Sequence, residues 1–132
     1  MEYIEIKSSK LDVIGNEAFS FCSKLEKIKF SGILDTICKG AFCACVSLRQ
    51  FPECYALRKI GFAAFSKCSA LTALPDMNAV TDLGEEAFDE CESLTEITIP
   101  NNVSSIPSAA FRKCKKLENI IFPKAEEDSI TG

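Results

Sequence analysis

The 132 residues are enough for one domain and too few for two separate cores. Apolar residues make up 47% and charged residues 26%, and 19 acidic against 15 basic side chains leave a formal charge of −4. A mildly acidic chain is poorly suited to general nucleic-acid binding, which draws its affinity from neutralising phosphates. With no His, Ser-His-Asp and Cys-His nucleophiles and His-ligated metals are excluded. No apolar run approaches the roughly 18 residues of a membrane span.

The chain starts Met-Glu-Tyr-Ile-Glu-Ile-Lys, without the basic start and long apolar stretch of a secretory signal. Tyr3–Ile6 reads as a strand, and residues 1–10 are expected to form an N-terminal cap strand. From there one pattern recurs every 23 residues. Ala-Phe stands at Ala18-Phe19, Ala41-Phe42, Ala64-Phe65, Ala87-Phe88 and Ala110-Phe111. Three residues after each Phe comes Cys22, Cys45, Cys68, Cys91 or Cys114, and six after comes Leu25, Leu48, Leu71, Leu94 or Leu117. Nine after come Ile28, Phe51, Leu74, Ile97 and Ile120. Before the Phe, the columns hold Ile14, Ile37, Ile60, Leu83 and Ile106 at five residues, and Leu11, Leu34, Leu57, Val80 and Val103 at eight.

A unit this short cannot bury its own apolar face, so the units must stack and share a core. The expected fold is an α/β solenoid, with five 23-residue repeats over 11–125 in a single domain, 1–132. Neighbouring copies of a column should lie about 5 Å apart. Within a unit, Leu94–Pro100 alternates like a strand ended by proline, and Val103–Ile106 reads as a second extended piece. Glu86–Cys91 reads as one turn of helix with Ala, Phe and Cys inward. Pro52 and Pro75 fall early in the second and third units and predict shorter or bent strands there. The Gly before the turn is replaced by Cys38 in the second unit and Pro107 in the fifth. Residues 126–132 are expected as a polar tail or the start of a truncated sixth repeat, which leaves an open C-terminal end through which copies could self-associate.

The element Leu-x-x-Ile-Gly-x-x-Ala-Phe-x-x-Cys-x-x-Leu-x-x-Ile resembles the BspA-like, or Treponema pallidum-type, leucine-rich repeats, over residues 11–125. The resemblance implies a non-enzymatic repeat protein at a cell surface or secreted. It also implies adhesion to host extracellular proteins such as fibronectin and fibrinogen.

The five recurring cysteines are explained by packing, since a buried Cys behaves as a small hydrophobe. Cys38, Cys43, Cys45 and Cys54 give Cys-x4-Cys-x-Cys-x8-Cys, which lacks the paired spacing of zinc ribbons. Cys43 shares its column with Ser20, Ser66, Asp89 and Arg112 and reads as an exposed thiol. Neither a catalytic residue, a metal site nor a cofactor is expected; phosphate-loop and dinucleotide-loop motifs are missing from the sequence. Stacking predicts Asp89 beside Arg112, Glu90 beside Lys113 and Glu92 beside Lys115, an ion-pair ladder whose exposed members contribute about 0–1 kcal/mol each.

The candidate protein-binding face is the exposed strand stripe: Lys27, Gln50, Ala73, Glu96 and Asn119, with Lys29, Thr98 and Ile121 from the next outward column. Phe21 and Phe62 replace polar residues of sister units and mark either an interface or a contact with the cap. The partner is expected to be a protein, with neither nucleic acid nor membrane insertion. Two alternatives stay open: a cytoplasmic interaction scaffold, and a structural spacer within a longer array.

Overall fold

The computed structural model describes residues 2–74 and 77–122. Because successive units keep the same length, each coil of backbone lands on the one before it, and strand pairing among the described residues is parallel throughout. The strands are β1 (Glu2–Ile6), β2 (Val13–Ile14), β3 (Leu25–Phe30), β4 (Thr36–Ile37), β5 (Lys59–Ile60), β6 (Asp82–Leu83), β7 (Glu96–Thr98) and β8 (Asn119–Ile121). The result is a parallel solenoid of about five turns with three distinct sides.

One side is the sheet β2-β4-β5-β6. Its register steps by 23 residues, stacking Ile14, Ile37, Ile60 and Leu83 in one row. The residue after each Ile donates its amide to the Ile one coil earlier: Cys38 to Ile14 at 2.9 Å, Gly61 to Ile37 and Gly84 to Ile60 at 2.8 Å. At this column the backbones crowd together. A Cβ on Gly84 would sit 2.5 Å from the carbonyl carbon of Gly61 and the amide of Phe62, so only glycine fits.

The fifth unit does not join this sheet. Val103–Ile106 forms no strand, contrary to the extended piece expected there, and Ile106 is left exposed. The reason is local. Pro107 stands where the other units carry the donating amide, and proline has no N–H to give the Leu83 carbonyl.

The second side carries the stripe that the sequence marks as outward-facing. It opens with β1 parallel to β3, Ile4 opposite Ile28, with a register irregularity between Glu2 and Tyr3. It then thins to single bridges, Lys27 to Gln50 and Gln50 to Ala73, and resumes as β7 paired with β8. The shortening in the second unit follows from Pro52, which cannot donate to a ladder. Pro75 and residues 126–132, with the expected tail or sixth unit, lie outside the described residues.

The third side corrects the expected helical turn: there is no helix among the described residues. In each unit the residues two before and two after the Phe have positive φ: Glu17 and Phe21, Gly40 and Ala44, Ala63 and Lys67, Glu86 and Glu90, Ala109 and Lys113. A right-handed helical turn cannot contain such residues. Instead the chain makes consecutive tight turns, Ala18 N–H to the Gly15 carbonyl at 3.2 Å and Cys22 N–H to the Phe19 carbonyl at 3.2 Å in the first unit. A left-handed conformation costs a non-glycine residue about 1–2 kcal/mol.

Inter-coil hydrogen bonds offset that strain. Glu17, Phe19 and Phe21 donate to the carbonyls of Lys39, Ala41 and Cys43 at 2.8, 2.7 and 2.7 Å. The same trio of rungs recurs at each later step, ending with Glu86, Phe88 and Glu90 on Ser108, Ala110 and Arg112. A helix would turn these amides along its own axis; here they point to the next coil.

Inside, the columns become ladders. Phe19, Phe42, Phe65, Phe88 and Phe111 stack with centroids 5.3–5.5 Å apart and planes within 11°. Phe51 packs edge-on against Phe42 and Phe65 at 5.1 and 5.2 Å. Leu25, Leu48, Leu71 and Leu94 are fully buried, as are Ala41, Ala64 and Ala87. The recurring cysteines are more than filler. Cys45, Cys68, Cys91 and Cys114 each donate the thiol hydrogen to the carbonyl of the preceding unit's Phe, Sγ to O 3.0–3.2 Å. A serine would bury a stronger dipole and an alanine would remove this second donor from a carbonyl that already accepts the cysteine amide of its own unit; cysteine combines apolar bulk with a weak donor.

Candidate interaction surface

The inward columns hold the backbone, and the outward ones are free to differ. Lys27, Lys29, Gln50, Ala73, Glu96, Thr98, Asn119 and Ile121 are all exposed on the strand side. The parallel register brings Glu96 beside Asn119 and Thr98 beside Ile121. Along the solenoid this stripe changes from basic at Lys27 and Lys29, through neutral Gln50 and Ala73, to acidic at Glu96.

The stripe is interrupted. No pairing joins Ala73 to Glu96, and the space there is a cleft of about 440 Å³ lined by Thr72, Ala73, Leu74, Met77, Asn78 and Thr95–Thr98. Ile97 and Met77 are buried, so the cleft has an apolar base under a polar rim. A second concavity, about 410 Å³, lies further along beside Lys27, Gln50 and the Glu26–Arg49 pair. Glu26 and Arg49 are 4.0 Å apart, as are Asp35 and Arg58. Both pairs stand 23 residues apart, so the register that stacks the coils also sets them.

The turn side has its own hollow, about 450 Å³, between Phe21 and Phe62. Gly40 and Ala63 leave room here, being small where the first and fourth units carry Glu17 and Glu86. Phe21 is 74% exposed, and the Lys39 ammonium stands 5.9 Å from the Phe62 ring centroid. Cys43 is half-buried at this hollow rather than exposed, and its column includes two buried members, Ser66 and Asp89. That column faces inward enough to be covered because the residue beside it, at positive φ, turns the chain.

Asp89 is 2% exposed, and Arg112 grips it with both nitrogens, Nε at 3.0 Å and Nη2 at 2.8 Å. Lys115 pairs with Glu92 at 2.9 Å. Glu86 stands 3.8 Å from the same Arg112 nitrogen. Glu90 and Lys113 share a column yet form no ion pair among the described residues. Both occupy positive-φ positions, where the side chain leaves the backbone in another direction than from a helix. Hydrogen bonding to Asp89 raises the Arg112 pKa, and bonding to Glu92 raises that of Lys115.

Five of the thiols are chemically quiet. Burial pushes Cys45 up to about 12 and Cys68, Cys91 and Cys114 above their ordinary range. Burial also raises Cys43, against the opposing charge of Lys67. Thiolate, the nucleophilic and metal-binding form, is therefore suppressed at neutral pH. Among the described residues no cluster of three or more His, Cys, Asp or Glu side chains is placed to hold a metal ion. No helix of these residues is long and apolar enough to cross a membrane.

The sequence matches the family described as BspA type leucine rich repeat region, in six copies over residues 1–72 and 52–131. Among solved structures it is similar to the Treponema pallidum leucine rich repeat protein, at 31% identity and a TM-score of 0.83 over 90% of this chain. A leucine rich cell surface protein from Faecalibacterium prausnitzii is similar at 29% identity and 0.81 over 92%. A leucine-rich repeat protein from Bacteroides ovatus is similar at 29% identity and 0.58 over 91%. The chain spans 55%, 35% and 37% of those three chains. The search of curated proteins finds no match.

Proposed function

The chain belongs to the BspA-type leucine-rich repeat family, and from that premise we propose that it is a protein-binding segment of a surface or secreted adhesin. The family and its fold are those of repeat proteins that generally serve interaction and not catalysis, and a solenoid supplies an extended face for the purpose. The observation that carries the reading is the contrast between columns. Buried positions repeat the same side chains, whereas the exposed strand stripe changes chemistry in every unit, from Lys27 through Gln50 and Ala73 to Glu96 and Asn119. Such a stripe can be altered without disturbing the ladders beneath it. In this reading residues 1–132 act as one domain, with 1–10 as its cap and 11–125 as the repeats. The Faecalibacterium relative is described as a cell surface protein, which supports the location.

The test is direct binding of the full chain to immobilised fibronectin and fibrinogen, beside a variant carrying Lys27→Glu, Lys29→Glu and Glu96→Lys. Saturable binding by the native chain, reduced at least tenfold in a variant of unchanged melting temperature, is the expected result. Retention of neither matrix protein, or equal binding by the variant, would remove the adhesin reading from this face.

A further inference from the structure

Both sheets are broken once. Where the β2-β4-β5-β6 sheet stops, Pro107 has no amide hydrogen, and the Ser104 and Ser105 amides do not repeat the bonds that Thr81 and Asp82 make to the Arg58 carbonyl. At the strand-side break both partners exist. The equivalent bonds form at the neighbouring steps: Arg49 N–H to Glu26 at 3.3 Å, Thr72 to Arg49 at 2.9 Å and Glu118 to Thr95 at 2.9 Å. Between the third and fourth units, the Thr95 amide and the Thr72 carbonyl make no such bond, and a cleft of about 440 Å³ stands between their strands. The other two sides stay closed at this same step, with Gly84 on Ile60 at 2.8 Å and Phe65 on Ala87 at 2.8 Å. The opening is confined to one side of the solenoid.

We propose that this cleft is the docking site for an extended peptide segment of a partner protein, held by the unpaired Thr95 amide and Thr72 carbonyl. The inference rests on the strand side being a protein-binding face, and it specifies where and in what conformation the partner enters. Unpaired strand edges recruit an added strand through main-chain hydrogen bonds, with alternate side chains giving selectivity. A helix has its amides and carbonyls paired internally and can offer them only at its ends.

The cleft's chemistry narrows the sequence of the segment. Its base is Ile97 and Met77, which suit an apolar side chain, and Ala73 is the smallest residue of the stripe and leaves the entrance clear. Thr72, Thr95 and Thr98 offer hydroxyls at the rim, and Glu96 is the charged residue among the described ones lining the cleft. An extended segment that alternates apolar with polar side chains, with Lys or Arg opposite Glu96, matches these features.

A phage-displayed library of random 16-residue peptides, selected on the immobilised full chain, supplies the probe. The most enriched peptide is then synthesised and titrated. Alternating peptides bearing a basic residue are expected. Ala73→Arg, which obstructs the entrance, and Glu96→Lys, which reverses the charge, are each expected to raise Kd at least tenfold. Lys59→Glu, exposed on the β2-β4-β5-β6 sheet, should change it less than twofold. Amide exchange at Thr95 should slow in the complex, and melting temperatures show that each variant is folded.

Peptides that bind both cleft variants as tightly as the native chain, or leave Thr95 exchange unchanged, would overturn the proposal. So would failure to enrich above the bare support. Fibronectin binding that survives Ala73→Arg but not Lys27→Glu/Lys29→Glu would overturn it while leaving the adhesin reading intact. Cleft-dependent peptide binding without any matrix-protein binding would uphold it and remove the adhesin reading.

Discussion

On the turn side the rungs run without interruption from Glu17 to Arg112, whereas each sheet is interrupted once, and at a different step. The difference lies in what each side demands of the sequence. A turn-side rung needs only a backbone amide and a carbonyl one coil on. Glu, Phe, Ala, Lys and Gly therefore all serve at the positive-φ positions. On the β2-β4-β5-β6 sheet each step uses a run of amides, Asp35, Thr36 and Cys38 in the second unit; in the fifth unit Ser104 and Ser105 donate no such bond and Pro107 has no N–H, so the sheet ends there. The strand side depends on a short run of extended residues, and it thins wherever that run is cut. Regularity is greatest where side-chain identity matters least to the bond that is made.

The comparison can be broken most severely at the aromatic ladder. Phe65→Ala should cost about 3–5 kcal/mol in urea unfolding, because Phe65 has a ring stacked on each face and Phe51 at its edge. A loss below about 1 kcal/mol would show that the turn side stands on its hydrogen bonds alone. Gly84→Ala comes next: the added methyl meets backbone, which cannot rotate away, and overpacking of this kind costs about 1–3 kcal/mol. Gly15→Ala, with nothing within 4 Å of its Cβ position, is the control and should be nearly neutral.

The rungs themselves are tested at Lys67, φ 63°. Lys67→Val places a β-branched residue in the left-handed region and should destabilise by about 1–2 kcal/mol, while Lys67→Gly should be neutral or stabilising. If Val is tolerated as well as Gly, positive φ at this column is not required. Weakest of all, Lys27→Glu/Lys29→Glu on the strand side should move stability by no more than about 0.5 kcal/mol.

The thiol ladder adds a pH test. Burial raises the folded-state values of Cys45, Cys68, Cys91 and Cys114, while the unfolded chain ionises near 9. The unfolded state then sheds protons first, so stability is full below pH 9 and falls as pH rises from there toward the folded-state values. Melting temperature should be flat in its cysteine contribution from pH 7 to 8.5 and decline above pH 9. Below pH 9, Cys45, Cys54, Cys68 and Cys91 should resist thiol reagents until the chain unfolds, and Cys43 should react before them.

Much of this was legible in the sequence. The 23-residue spacing of Ile14, Ile37 and Ile60 became the register of a sheet, and the Phe and Leu columns became the core. The Asp89–Arg112 and Glu92–Lys115 pairs followed from the same count. The turn conformation was hidden because Glu17, Phe21 and Lys67 carry no sign of positive φ; only Gly40 does. A helix was the natural reading of Glu-Ala-Phe-x-x-Cys, since inward residues spaced by three suit either geometry. The thiol-to-carbonyl bonds were hidden for a related reason, as composition records Cys as a small hydrophobe and not as a donor. On the strand side, the exposed columns were readable but the cleft was not. Pro52 and Pro75 mark the second and third units alike, yet the second still pairs with both neighbours.

The staggering of the two interruptions has a mechanical meaning. Masons offset the joints of successive courses so that no crack finds a straight path through a wall. Here the strand side parts between the third and fourth coils and the opposite sheet between the fourth and fifth, while the turn side binds across both. No plane perpendicular to the axis passes through two open joints. The solenoid can thus gape at one face, locally and on one edge, without coming apart into two pieces that would fold and unfold on their own.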